Sequence, residues 1–181
     1  MEDLSLHLLD VAENGIKAGA SRIEIGIEED PAARRLVLTV KDDGSGMDPE
    51  FARRVADPFV TTRTERRVGL GIPMLAQSAR ETGGGLTVDS EKGKGTKVRA
   101  WFVTDHIDCR PLGDVVETMV TLILGNPGID FALSWKRGAK SMEVDTRDLR
   151  EQLGDIRLAE PEVLRTLRER MREEVQELQR G

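Results

Sequence analysis

The run Asp42-Asp43-Gly44-Ser45-Gly46-Met47-Asp48, entered from the alternating stretch Leu36-Val37-Leu38-Thr39-Val40, carries the most chemistry in this chain. An acidic pair at the end of a strand, followed by two glycines, lets one carboxylate point into a pocket while the backbone turns closely beneath it. That suits recognition of a nucleobase amino group. An acidic β-turn and a partial calcium loop have similar composition. A calcium loop needs oxygen ligands at alternating positions and a closing bidentate Glu, whereas Met47 and a helix start follow here, which argues against calcium. A plain turn remains the competing reading of this segment taken alone.

Two further constellations flank it. Asp10 and Asn14 are four residues apart and share one helical face, where a carboxylate could orient water and an amide oxygen hold a cation. Glu13 and Lys17 on the same helix fit a solvated ion pair equally well. Downstream, residues 57–68 lead into Gly69-Leu70-Gly71-Ile72-Pro73. Glycines two apart at a helix start let backbone N–H groups approach an anion, and the helix dipole favours it. Thr61, Thr62, Arg63, Thr64, Arg66 and Arg67 supply hydroxyls and guanidiniums suited to a polyphosphate. No Gly-Lys-Ser/Thr follows, so this is not a P-loop, and the spacing is wrong for a Rossmann turn. An ordinary loop is the alternative.

The elements that must position these residues alternate. Leu4, Leu8, Val11 and Ala12 fall at helical spacing, so the chain opens on an amphipathic helix ending near Gly19. Ile23, Ile25 and Ile27 alternate with Arg22, Glu24 and Gly26, and Asp30-Pro31 turns toward Leu36–Val40, which predicts an antiparallel hairpin. Asp48-Pro49-Glu50 starts a short helix to about Ala56. A helix over 72–81 stops at Gly83-Gly84-Gly85, and strands over 86–89 and 97–103 flank a turn at 91–95. Helix, two strands, helix, loop, helix and two strands suit a layered α/β sandwich with a mixed sheet, not a dinucleotide fold.

Composition sets outer bounds. The 181 residues, 38% of them hydrophobic, suffice for a packed core. A net charge of −6 from 33 acidic and 27 basic residues argues against a general nucleic-acid binder. No apolar run reaches the ~18–20 residues that cross a bilayer, and no basic leader precedes Leu4, so no membrane partner is expected and a cytoplasmic protein is. Cys109 is the single cysteine, which excludes a disulfide framework and an iron–sulfur site. His106, Cys109, Asp105 and Asp108 do not make a zinc site without further ligands.

In order, these motifs resemble the ATP-binding domain of the GHKL or Bergerat-fold superfamily, shared by DNA gyrase, high-molecular-weight heat-shock chaperones, histidine kinases and mismatch-repair ATPases. The resemblance covers residues 4–103. Asp10-Val11-Ala12-Glu13-Asn14-Gly15-Ile16-Lys17 is similar to the N-box, which implies that Asn14 coordinates Mg²⁺, that Lys17 lies at the nucleotide and that Asp10 is the catalytic carboxylate. Asp42 to Gly46 resembles the G1 box: Asp42 would accept the adenine amino hydrogen, with Gly44, Gly46 and Met47 around the base. Val68-Gly69-Leu70-Gly71-Ile72 resembles the G2 box at the end of an ATP lid that includes Thr61, Thr62 and Arg63. Glu91 to Thr96 is similar to the last box, placing Thr96 in a water-linked adenine network. The fold so implied is α+β, a two-layer sandwich whose mixed sheet is covered by helices on one face.

Residues 56–103 are most similar to histidine kinases, through Asp57-Pro58-Phe59-Val60-Thr61-Thr62 and Gly83-Gly84-Gly85-Leu86. No helical hairpin bearing a phosphoacceptor His precedes the N-box, so self-phosphorylation of the usual kind is not expected. His7 reads as structural or solvent-facing. Asp10 stands where hydrolysing relatives often have Glu, and the shorter side chain predicts slow hydrolysis.

The sequence predicts an ATP-binding domain over 1–104 and an extension over 105–181. In the extension an apolar helix runs from Val115 to Gly125, a hairpin spans 129–144, and Asp145 caps a helix over 146–153. A final charged helix after Pro161 carries the stripe Leu164, Leu167, Met171, Val175 and Leu178, facing its own domain or a partner. The expected whole is a Mg-ATP or ADP-binding switch with slow ATPase activity, acting on a protein partner. A kinase of histidine-kinase or anti-sigma type and a non-catalytic nucleotide-sensing adaptor are the alternatives. A second copy of the chain is one candidate partner. Overall sequence resemblance to small ATP-binding proteins that accompany iron hydrogenase and electron-bifurcating oxidoreductase components suggests another.

Overall fold

A computed structural model describes residues 3–57 and 70–180. The chain opens on α1 (Leu4–Lys17), started by Asp3, whose carboxylate accepts the Leu6 amide at 3.2 Å. Its apolar stripe of Leu4, Leu8, Val11 and Ala12 is buried, as the spacing predicts. Then come β1 (Arg22–Asp30), β2 (Arg35–Asp42), the short α2 (Pro49–Arg54), α3 (Gly71–Glu81), β3 (Gly85–Glu91) and β4 (Gly95–Val103). The second half adds α4 (Val115–Gly125), β5 (Asp130–Arg137), β6 (Lys140–Asp145), α5 (Thr146–Leu153) and α6 (Pro161–Gln179).

The six strands form one mixed sheet in the order β3-β4-β2-β1-β5-β6, with β1 and β5 parallel and all other neighbours antiparallel. Ile23, Ile25 and Ile27 of β1 sit opposite Phe131, Leu133 and Trp135 of β5, and Leu38 and Val40 of β2 continue the rows. All are buried, whereas Arg22, Glu24, Gly26 and Glu28 between them face the open side. A period-2 pattern read on one face only is what a sheet covered by helices on that face requires. The architecture is the two-layer α+β sandwich expected.

The second half differs from a separate extension. β5 pairs with β1 from Arg22↔Asp130 to Glu29↔Arg137, so residues after 104 lengthen the same sheet and share its core. Asp145 receives Arg22 at 2.7 Å, Glu29 accepts the Trp135 indole N–H at 2.7 Å, and the Leu4 amide donates to the Pro111 carbonyl at 3.0 Å. α4 packs between α1 and α6. The stripe on α6 turns inward: Leu164, Leu167, Met171 and Leu178 are buried, and Val175 is partly so. Sequence periodicity reported the elements but not the pairing of β5, because a parallel partner more than a hundred positions away leaves no local signal. No helix among the described residues is long and apolar enough to cross a membrane.

Trp101 in β4 and Trp135 in β5 stand on either side of the 104/105 boundary, and the chain has no other tryptophan. In Trp101→Phe and in Trp135→Phe, urea unfolding followed by the remaining indole should share its midpoint with far-UV circular dichroism. Separated midpoints would show two cooperative units instead of one.

Candidate functional site

The site grows from the place where the end of β2 passes under α1. Asp42 is the last residue of β2 and pairs with Thr96 of β4, so their side chains share the helix-covered face. Gly15 of α1 sits directly against Asp42: a Cβ there would lie 2.8 Å from the Asp42 Cβ. Gly95 is required twice over, since its φ is +112° and a Cβ would come within 2.0 Å of the Asp42 carbonyl oxygen. Gly46, at φ +66°, meets the Glu91 carbonyl in the same way. The turn between them is pinned on both sides, by Ser45 N–H donating to the Ala18 carbonyl at 2.9 Å and Gly93 N–H donating to Ser45 at 2.7 Å.

The two adjacent aspartates have opposite electrostatics. Burial pushes the Asp42 carboxyl above its ordinary range, the amides of Gly44 (2.9 Å) and Thr96 offset this in part, and the Asp43 charge adds to the rise. For Asp43, burial pushes upward too, but the Ser21 hydroxyl at 2.5 Å and the Arg22 and Ser21 amides at 2.9 and 2.8 Å outweigh it, and its carboxyl falls below the ordinary range. Asp43 therefore ties the turn before β1, while Asp42 stands half-buried with the Gly44 and Thr96 amides as its donors. Residue types alone give the acidic pair, and only the family resemblance singles out Asp42 for the ligand; neither assigns Asp43 to the turn. The signal for the division is Ser21, one position before a strand.

Asn14 precedes Gly15 and so sits one residue from the contact with Asp42. Its side-chain amide nitrogen is buried with no hydrogen-bond partner among the described residues. Asp10, one turn earlier, is exposed, and α3 begins against it: a Cβ on Gly71 would lie 2.8 Å from the Asp10 Cβ. α3 has Leu70 at its N-cap and, among the described residues, no side-chain cap, so the amides of Gly71 and Ile72 are unclaimed by a cap there. Pro73 in that first turn has no N–H to satisfy. Ile72 is buried and Leu70 is 64% exposed. Thr61, Thr62, Arg63 and Gly69 lie outside the described residues. Lys17 is exposed and pairs with Glu13 at 3.5 Å, apart from the other candidates. His7, read as structural or solvent-facing, is buried between α1 and α3, its Nε2 3.4 Å from the Ser78 hydroxyl.

Beyond the end of β2, Met47 packs partly buried against the core, and its amide donates to the Ser90 hydroxyl at 2.8 Å. A cavity of about 470 Å³ reaches Asp42, Ser90, Gly95 and Thr96 from between α2 and the β3–β4 hairpin. A second depression, of about 610 Å³, lies on the open face of the sheet and is lined by none of the candidate residues. Ser90 escaped the sequence reading, since it stands one position before the motif that begins at Glu91.

Residues 2–106 match the family described as histidine kinase-, DNA gyrase B-, and HSP90-like ATPases, more than half of the 181-residue chain. The chain belongs to this family. Among proteins similar to this ATPase-family chain, sporulation kinase C of Bacillus subtilis is 34% identical over 88 residues, covering 49% of this chain and 20% of that protein. Sensor protein SrrB of Staphylococcus aureus is 35% identical over 101 residues, 53% of this chain and 17% of its own length. The likeness thus spans about a fifth or less of these relatives. Among solved structures, the N-terminal domain of a DNA repair protein superposes with a TM-score of 0.58 at 16% identity, covering 80% of this chain and 52% of that one. It shares the fold.

The Asp42 carboxyl accepts ligand donors most strongly when ionised, and its folded pKa is raised. ATP affinity should therefore fall with decreasing pH from a point above ~3.9, the ordinary aspartate value. Asp42→Asn should weaken ATP binding by about ten- to a hundredfold at neutral pH. It should also lose this component of the pH profile, leaving only the titration of the phosphates. Calorimetric titration of both proteins across pH 4.5–8 checks this; parallel profiles would remove Asp42 from the contact.

Proposed function

We propose that this chain is a Mg-ATP-binding regulatory protein that hydrolyses ATP slowly and changes its docking to a protein partner with nucleotide state. One observation carries the reading: a half-buried carboxylate of raised pKa and a buried amide nitrogen with no partner among the described residues lie on either side of Gly15, which spaces the adenine end from the phosphate end of one site. The orphaned Asn14 nitrogen is a donor suited to a phosphate oxygen, and the carboxamide oxygen of the same side chain would be the neutral ligand for a hard cation that keeps most of its waters. Bound there, Mg²⁺ would neutralise phosphate charge.

The chain's own residues supply the rest. Asp42 accepts the amino hydrogen of adenine and rejects an oxo group at that position. With no side-chain cap on α3 among the described residues, the amides of Gly71 and Ile72 would meet an anion at the positive end of the helix dipole. Asp10 accepts a hydrogen bond from the attacking water and takes its proton as the oxygen bonds to the terminal phosphorus and the bridging P–O bond to ADP breaks. An aspartate reaches about one methylene less far than a glutamate, which lengthens that contact and keeps turnover slow.

A kinase reading is favoured by one relative, sporulation kinase C, through its name. In that case the acceptor would be a hydroxyl or imidazole of another polypeptide in place of water. Overall resemblance supports an iron hydrogenase or electron-bifurcating oxidoreductase component as the first partner to test, and a second copy of the chain as another.

Incubation with γ-labelled ATP, alone and with candidate partners, separates free phosphate from labelled protein. Asp10→Asn should slow phosphate release at least about tenfold while leaving ATP affinity near wild type. Asn14→Ala should remove the Mg²⁺-dependent part of ATP affinity. Equal phosphate release by wild type and Asp10→Asn would take Asp10 out of the reaction.

A further inference from the structure

The Ser90 hydroxyl has three neighbours: the Met47 amide at 2.8 Å, the Gly95 carbonyl oxygen at 3.0 Å and the Thr96 hydroxyl oxygen at 2.8 Å. A serine hydroxyl has one proton and two lone pairs. The carbonyl can only accept, so the proton goes to Gly95. The amide can only donate, so one lone pair takes Met47 N–H. What remains toward Thr96 is a lone pair, and the Thr96 O–H must therefore donate to Ser90.

We infer that Ser90 fixes the proton of Thr96, so that Thr96 meets the cavity beside Asp42 as an acceptor only, and that Ser90 is thereby a positioning residue selecting a 6-aminopurine over a 6-oxopurine. This rests on the adenine reading of the pocket. Thr96 is 8% exposed and its side chain shares a face with Asp42 across the β2–β4 pair, so two acceptors stand together. A ligand amino group, or a water that donates to Thr96, satisfies them. A 6-oxo group sets an acceptor against both, and this pair of side chains has no proton to offer it. Without the Ser90 hydroxyl, the Thr96 O–H is free to rotate and donate into the cavity. The Met47 amide would lose its partner as well, a loss common to all nucleotides, so the ratio of affinities separates selection from loop support.

The test is calorimetric titration of the full chain with ATP and with inosine triphosphate, which replaces the 6-amino group by an oxo group. Wild type should prefer ATP. Ser90→Ala should shrink that preference about fivefold, the worth of one ordinary hydrogen bond. Ser90→Thr, which keeps the hydroxyl, should retain the wild-type ratio. If Ser90→Ala weakens both nucleotides alike, Ser90 only ties the Met47 loop and the inference is overturned. Equal affinity of wild type for the two nucleotides would overturn the adenine reading itself, and this inference with it. Should Ser90→Ala fail to fold by circular dichroism, Ser90→Cys, whose S–H is a weak donor, should give an intermediate ratio, and an unchanged ratio there would overturn the inference.

Discussion

The closeness of α1 to the end of β2 is the constraint on which the rest depends. A helix backbone is brought onto a carboxylate with only the hydrogen of Gly15 between them, and the Asp42 backbone is crossed from the other side by Gly95. The approach desolvates Asp42, which raises its pKa, and the price is limited by two amides delivered to it by Gly44 and Thr96. It also fixes Asn14 beside Gly15 at a set height above the sheet. Replacing either glycine by alanine would need a backbone shift, because the atoms met are a Cβ in one case and a carbonyl in the other.

That contact is held from outside by groups with no ligand role. Asp43 gathers the Ser21 hydroxyl and the Ser21 and Arg22 amides, fixing the chain where it leaves α1 for β1. Ser45 bridges the end of α1 to the β3–β4 turn. Two carboxylates adjacent in sequence thus diverge because one is fed three donors at the surface and the other is buried with fewer. The first holds the turn, and the second stands half-buried with the Gly44 and Thr96 amides.

Much of this was legible in the sequence wherever the signal was local. The i, i+4 stripe of α1, the alternating isoleucines of β1, the Asp48-Pro49 start of α2 and the Asp145 cap of α5 each report a structure formed within a few residues. Gly46 and Gly71 stand out in the sequence because the close approaches they make, to the Glu91 carbonyl and to Asp10, leave no room for a Cβ. Pairing and proton direction were not legible. The parallel union of β1 with β5 and the inward turn of the α6 stripe are decided by burial between distant segments, and the hydroxyl of Ser90 acquires its role only through three partners from two strands and a loop.

The parallel pairing also governs how the chain can be made. Residues 2–106 match the family, yet β1, at the centre of the finished sheet, remains an unpaired edge on one side until β5 has been synthesised, and Ile23 finds Phe131 108 positions later. A nascent chain that has released β4 from the ribosome already holds every motif around Asp42, but its Ile-rich strand still lacks one neighbour. An open edge of that kind invites pairing with other chains. Closure of the sheet must therefore wait until residues 130–137 have been synthesised, and high contact order makes that closing step slow relative to the formation of the helices.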